Sequence, residues 1–434
     1  MATKLSILFE KARLRATGKP FVYSGQAKVP KGVIFVQFSP SVNEVAHGRG
    51  VHGAFEGCRA LRYVALNEGL LKIGDRAFYQ CRYLESIQLP STVIEIDLCA
   101  FYNCGALRNV VLNEGLQRIC PCAFSYCASL ITIKLPSTTI DIDHGAFSRC
   151  IALRSVILNK GIQMIGERVF SDCRSLESIE VPSTVTEISR CAFTGCHALR
   201  NVVLNEGLKR IGEYTFFGCR SLENIEIPPT VIEIDHGAFA CCVALRNVAL
   251  NEGLQQIGDD AFCGCTSLGH VNFPSSIKEI GKYSFSRCGS LRDVLLNEAL
   301  QTIGEWAFLS CDSLERFKFP CVPMRLESIS CKRGQNAIMD KINETPGISM
   351  VDGEILISRA AAEGQGWSTC KEKINQILDL IAYYELKEAT AIFELALWKA
   401  KLVEDMVNDS NRANCYVEVP GPIIDAVSQF LPNN

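Results

Sequence analysis

The sequence predicts an α/β solenoid, built from 23-residue coils that each give a short parallel strand and one turn of helix, and followed by a helical C-terminal region. Three observations carry this. Cys58, Cys81, Cys104, Cys127, Cys150, Cys173, Cys196, Cys219, Cys242, Cys265, Cys288 and Cys311 fall 23 residues apart with no insertion. A Phe stands three residues before each of them, from Phe55 to Phe308, and a Leu three residues after, from Leu61 to Leu314. Two turn sequences, Asn-Glu-Gly as at 113–115 and Pro-Ser-Thr as at 136–138, alternate from coil to coil, which makes a super-period of 46 residues.

Each element follows from its residues. The segment around Val110 and Leu112 alternates apolar and polar at period two, so it reads as a strand with one buried face. Gly115 readily takes the positive φ that ends one class of strand. Pro136 ends the other class because it has no N–H to donate. The Ala-Phe-x-x-Cys stretch has room for one helical turn, with Phe and Cys pointing inward and stacking on their copies. A Cys in such a repeating slot behaves as a small hydrophobe. Coils at strand spacing stand about 4.8 Å apart, so the column is expected to be a ladder of reduced thiols.

Composition excludes several functions. The 434 residues carry 44 basic and 47 acidic side chains, a net charge of −3, and 48% apolar residues. That supports a sizeable core and argues against wholesale disorder and against a basic nucleic-acid binder. No run approaches the roughly 18 apolar residues that a membrane-crossing helix needs. The 22 cysteines come without a secretory apolar segment, which points to reduced thiols and a cytoplasmic location, not to a disulfide framework. Phosphate-binding, dinucleotide-binding, nucleophile-elbow and zinc-protease motifs are all missing. His144 and His236 share a slot four coils apart, roughly 19 Å at strand spacing, too far to share a ligand. No catalytic residue, no cofactor and no enzyme activity are expected.

The unit L-x-x-V-x-L-N-E-G-L-x-x-I-G-x-x-A-F-x-x-C resembles the BspA-like (Treponema-type) leucine-rich repeat over residues 45–320. The resemblance implies a right-handed leucine-rich repeat coil and a protein-interaction scaffold instead of a catalyst. Residues 381–402 are similar to a C-terminal segment of intracellular repeat proteins of diatoms.

Residues 1–44 lack the repeat, hold a strand-like run at 33–38, and are expected to cap the first coil, because a solenoid end would otherwise expose its core. The first 32 residues carry seven Lys or Arg and one acid, Glu10. They read as a basic capping segment or, alternatively, an organelle presequence. Residues 321–434 are expected to be mostly helical, with amphipathic helices over 370–405, where Ile374, Ile377, Leu378 and Ile381 recur at helical spacing.

Three groups of residues are candidates for function. The outward strand position reads Val111, Lys134, Ile157, Glu180, Val203 and Glu226 on successive coils, with Asn201 and Asn224 two residues earlier on their strands. This face is expected to bind a protein partner, although Val and Ile there also simply suit a strand. Opposite charges on adjacent coils, such as Arg62 with Glu85 and Lys72 with Glu95, form ladders that set coil order. Cys99, Cys120, Cys122 and His144 fall on neighbouring coils as a weak zinc set, with a Cys99–Cys122 redox pair and incidental thiols as alternatives. The expected assembly is a monomer. The competing function is a stiff spacer that docks through its C-terminal amphipathic helices.

Overall fold

The computed structural model of the chain describes residues 20–25, 29–45, 53–297, 299–304, 306–314, 316–319, 340–341, 344, 348–351 and 354–357. The chain forms two units, one of coils reaching to residue 293 together with 299–314, the other holding 294–298 and the strands beyond 315.

Two parallel ladders run through the coiled unit. The first is made of three-residue strands, from Tyr63–Ala65 through Asn109–Val111 and Ser155–Ile157 to His270–Asn272. Its register repeats the 23-residue period, as in Ile133↔Val156 and Glu180↔Val203. The second has two-residue strands, from Glu44–Val45 and Lys72–Ile73 to Thr302–Ile303, with Ile73 beside Ile96 and Ile188 beside Ile211. The segment expected to be a cap carries the same pairing. Phe21–Tyr23 runs parallel to Phe35–Phe38, which runs parallel to Tyr63–Ala65. Its first 19 residues lie outside the described ones.

Where the sequence suggests one helical turn, the structure has successive tight turns. Ala77, Tyr79 and Cys81 donate three residues back, to Gly74, Arg76 and Phe78 (3.0–3.1 Å), while Arg76, Phe78 and Gln80 donate to Leu98, Ala100 and Tyr102 of the next coil (2.7–2.9 Å). Every second N–H is thus spent between coils, and a helix cannot propagate. Arg76 and Gln80 also take left-handed φ values of 51° and 58°, a conformation that runs against a right-handed helix by about 1–2 kcal/mol per residue.

Three residue columns, Phe, Leu and Cys, run the length of the core beside buried Ile and Ala columns. The Phe rings from Phe55 to Phe308 stack face to face, with centroids from 4.9 to 5.7 Å apart. Leu and Cys columns flank them and are buried throughout. Each column thiol from Cys81 onward also donates to the carbonyl of the preceding coil's Phe, as Cys81 does to Phe55 (3.0 Å) and Cys173 to Phe147 (3.3 Å). A small hydrophobe without a donor would leave that lone pair unused.

The 46-residue period has a structural cause, because the coils meet through two kinds of boundary. From a Pro coil to the next Asn coil the strand ladder is complete, with three residue pairs at 86–88↔109–111, 132–134↔155–157 and 178–180↔201–203. The residue before each Pro is held extended by the ring, and its N–H lengthens the ladder: Leu89 to Val111, Leu135 to Ile157 and Val181 to Val203 (2.9–3.0 Å). The Asn side chain reaches back across the same boundary, as Asn159 Nδ2 does to Pro136 O (2.5 Å) and Asn251 Nδ2 to Ile227 O (2.6 Å).

From an Asn coil to the next Pro coil the ladder shrinks to two pairs at Asn247↔His270 and Val248↔Val271, to single pairs at Tyr63↔Ser86 and Ser155↔Ser178, or is interrupted between Asn109–Val111 and Thr132–Lys134 and between Asn201–Val203 and Asn224–Glu226. Side chains hold this boundary. Thr138 Oγ1 accepts from Gly115 N and donates to Leu116 O, both at 3.0 Å, while Glu114 accepts from the N–H and hydroxyl of Ser137 at 3.0 and 2.7 Å. Thr92 and Ser276 repeat the threonine clip. Thr138→Val keeps the shape and removes both bonds. It is expected to lower stability by about 1–2 kcal/mol, read by urea unfolding, and an unchanged midpoint would show the clips to be incidental.

In the second unit, Glu354–Ile357 pairs antiparallel with both Arg316–Phe319 and Ile348–Val351. Helix among the described residues is confined to 340–341. The amphipathic helices expected over 370–405 lie outside the described residues.

Candidate functional site

On the three-residue strands the central residue faces the core: Ile133, Ile179 and Ile225 are buried. Alternation then turns the flanking positions outward. Lys134, Ile157, Glu180, Val203 and Glu226 are exposed, as are Asn201 and Asn224, while Val111 is half-buried. Ile157 and Val203 expose 53% and 50% of their surface, high for apolar side chains in a ladder. Register places Lys134 beside Ile157 and Glu180 beside Val203. These four share one continuous sheet, Thr132–Lys134 to Asn201–Val203, whereas Val111 and Glu226 stand on the sheets beyond its two breaks. Asn224 Oδ1 also accepts from Asn247 Nδ2 at 2.7 Å. Two methyl-bearing side chains between a lysine and two glutamates make a shallow surface able to bury apolar contacts within a charged frame.

Among the described residues the charge ladders close as ion pairs only on some of the rungs that the spacing predicts. Arg62 meets Glu85 at 2.9 Å, Arg118 meets Asp141 at 3.2 Å, and Arg210 meets Glu233 at 3.3 Å and Asp235 at 2.5 Å. These pairs bridge Asn-to-Pro boundaries, where the backbone ladder is thinnest. Exposed ion pairs contribute only about 0–1 kcal/mol each, so their effect is mainly on coil order.

The proposed four-residue zinc set does not converge. Cys120 parts from Cys122 and sits with Glu95 and Asp97, and these three are the only trio of possible ligand atoms within 4.8 Å of one another among the described residues. Lys72 already lies 2.8 Å from both carboxylates, and they hold its ammonium above the ordinary lysine value, Asp97 first and Glu95 second. Burial pushes the Cys120 thiol up to about 11, helped by the negative charges of Glu95 and Asp97. A buried, protonated thiol beside two carboxylates that share one lysine is an ion-paired cluster, not an open coordination sphere. His144 faces Glu167 of the next coil, Nδ1 to Oε2 at 3.6 Å. Cys99 and Cys122 do come together, in the same slot of adjacent coils, near enough for their thiols to influence each other.

Sequence reasoning missed one contact of the same kind, the hydrogen bond of Tyr214 Oη with His236 Nε2 between adjacent coils. Their separation is 22 residues, one short of the period, so a search by identical slots does not pair them. Asp97, placed against Lys72 two residues beyond its ladder partner Glu95, was hidden for a similar reason.

Among the described residues, no helix is long and apolar enough to cross a membrane. The BspA type leucine rich repeat region, in six copies, matches residues 51–176, 141–255 and 233–337. Among solved structures, a leucine-rich repeat protein from Bacteroides ovatus is 27% identical, with 65% of this chain and 86% of that one covered and a TM-score of 0.47. A leucine rich cell surface protein from Faecalibacterium prausnitzii is 26% identical, with 68% and 82% covered and a TM-score of 0.41. No curated protein matches the chain. Stacked 23-residue coils, two parallel ladders and the family match over more than half its length agree, and the chain belongs to the BspA-type leucine-rich repeat family, a generally non-catalytic scaffold of a kind typical of protein binding.

Proposed function

We propose that this chain is an intracellular, non-enzymatic scaffold that binds a protein partner on its three-residue strand face, centred on Lys134, Ile157, Glu180 and Val203 and flanked by Val111, Asn201, Asn224 and Glu226. The observation that carries the reading is the exposure of Ile157 and Val203 at outward positions of one continuous sheet, each beside a charged neighbour. Apolar side chains supply the burial that drives association, and charges at the rim supply orientation and partner choice. The eighteen free described cysteines support a reducing compartment.

The test is affinity capture from the native cell lysate, with the wild type and the Ile157→Asp/Val203→Asp double variant side by side. A protein retained by the wild type and lost from the variant is the expected result, with the two thermal midpoints alike because both side chains already face water. Identical captures would sink this reading and favour docking through the C-terminal region.

A further inference from the structure

Cys99 and Cys122 occupy the same slot on neighbouring coils. Their φ angles of 53° and 55° are nearly identical, so the two side chains leave the backbone in the same direction. Cys99 N donates to Pro121 O at 3.0 Å and Cys122 N to His144 O at 2.9 Å, which fixes both residues in the stack of coils. Two residues further along each coil, the rings of Phe101 and Phe124 stack with centroids 5.1 Å apart, in keeping with coils at strand spacing. That lies within the Cα separation of about 4.4–6.8 Å that a disulfide spans. Both residues are part-exposed, and each thiol shifts the other's titration.

The two sulfurs differ in character. The Cys122 thiol is drawn down to about 6 by the neighbouring Cys99 thiol, against burial and with help from the charge of His144. Cys99 is pushed up by the same neighbour effect and by burial, with Arg76 favouring and Asp75 opposing its thiolate. No other described pair has this arrangement. The column thiols are buried, and Cys263, near Cys241, is pushed up to about 11 by burial and by Asp260.

We propose that Cys99 and Cys122 form a dithiol oxidation site, which a hydroperoxide converts to a disulfide joining two adjacent coils. The Cys122 thiolate attacks one peroxide oxygen. An S–O bond forms, the O–O bond breaks, and the departing oxygen takes a proton and leaves as water or an alcohol. Cys99 then loses its proton and its sulfur attacks the sulfenic sulfur of Cys122. The S–S bond forms, the S–O bond breaks, and water leaves with the proton. Two electrons pass from the thiols to the peroxide, and a dithiol reductant reverses the change.

The experiment treats the reduced full-length protein with a small molar excess of hydrogen peroxide near neutral pH, alkylates the remaining thiols and maps the peptides. A disulfide-linked peptide pair containing Cys99 and Cys122 is expected, formed ahead of oxidation at Cys241 or Cys263. Cys99→Ser should stop at a sulfenic acid on Cys122 that dimedone captures. Cys122→Ser should leave Cys99 reduced. Recovery of Cys99 and Cys122 as free thiols after Cys241 has been oxidised would overturn the proposal. So would equal oxidation of Cys99 with and without Cys122. The first readout uses the unaltered chain, so it stands even if a variant folds poorly.

Discussion

Raising the pH of the reduced protein above about 9 should unfold the solenoid over a narrow interval, near pH 9–10. All twelve column thiols are held above the ordinary cysteine value, chiefly because burial penalises the thiolate. The folded chain therefore keeps protons that the unfolded chain releases above an ordinary cysteine pKa of about 8.5. Where the unfolded state binds fewer protons, stability falls as pH rises. Each thiol contributes about 1.4 kcal/mol per pH unit once ionised in the unfolded chain, so twelve contribute roughly 16. That is comparable with the ~5–15 kcal/mol stability of an ordinary domain. The stabilisation is fully present below the unfolded pKa and disappears above it. Circular dichroism against pH, with reductant present, measures the transition. Replacing Cys127, Cys150 and Cys173 together by Ala should make it shallower. A transition of unchanged steepness would remove the thiols as its cause.

Phe170→Ala, like truncation of any mid-column Phe, should be among the most damaging core substitutions, at about 3–5 kcal/mol. Phe170 is fully buried, and its ring stacks on Phe147 at 5.7 Å and on Phe193 at 5.5 Å. Truncation loses the transfer energy, leaves a cavity bounded by rings that cannot collapse into it, and removes two aromatic contacts of about 0.5–1.5 kcal/mol each. Because each coil rests only on its neighbours, a gap in the middle divides the column into two shorter stacks. Urea unfolding should shift to lower midpoint and broaden or split into two steps. Phe170→Leu, which keeps most of the volume, should lose less. An alanine variant with the wild-type curve would show that the ring column does not hold the coils together.

The period was enough to foretell the ladder of three-residue strands, the stacked Phe and Cys columns and pairs such as Arg62 with Glu85, because each depends only on which residues share a slot; the second ladder, of two-residue strands, was not foretold. The backbone between Ile and Cys was not legible. Its left-handed corners fall on residues as varied as Arg76, Gln80, Cys99 and Asn103, and among the described residues on glycine in the same two slots only at Gly57, Gly145, Gly195, Gly218, Gly237 and Gly264, so no single residue type announces them. The same corner explains the failed metal set. Cys120 ends the strand side, its N–H on Ile96 O at 2.8 Å, and faces Glu95 and Asp97. Cys122 lies beyond the bend at φ 55° and faces Cys99. A count of two residues implied one face, and the turn between them gave two. The thiol-to-carbonyl bonds were hidden because a cysteine reads as an apolar residue until its neighbours are placed. The outward strand residues were legible from alternation alone. What they contact is not, since every coil of such a scaffold offers the same geometry to any partner.

The alternation of boundaries also governs how the protein can change length. Excising one 23-residue coil would bring two like turns together, Asn-Glu-Gly on Asn-Glu-Gly or Pro-Ser-Thr on Pro-Ser-Thr. The Gly115 N–H would then lose the hydroxyl of Thr138, and an Asn would lose the carbonyl it reaches back to. Excising 46 residues restores both junctions. Tandem duplication that preserves this solenoid must therefore copy coils in pairs, and its natural currency of growth is the doublet.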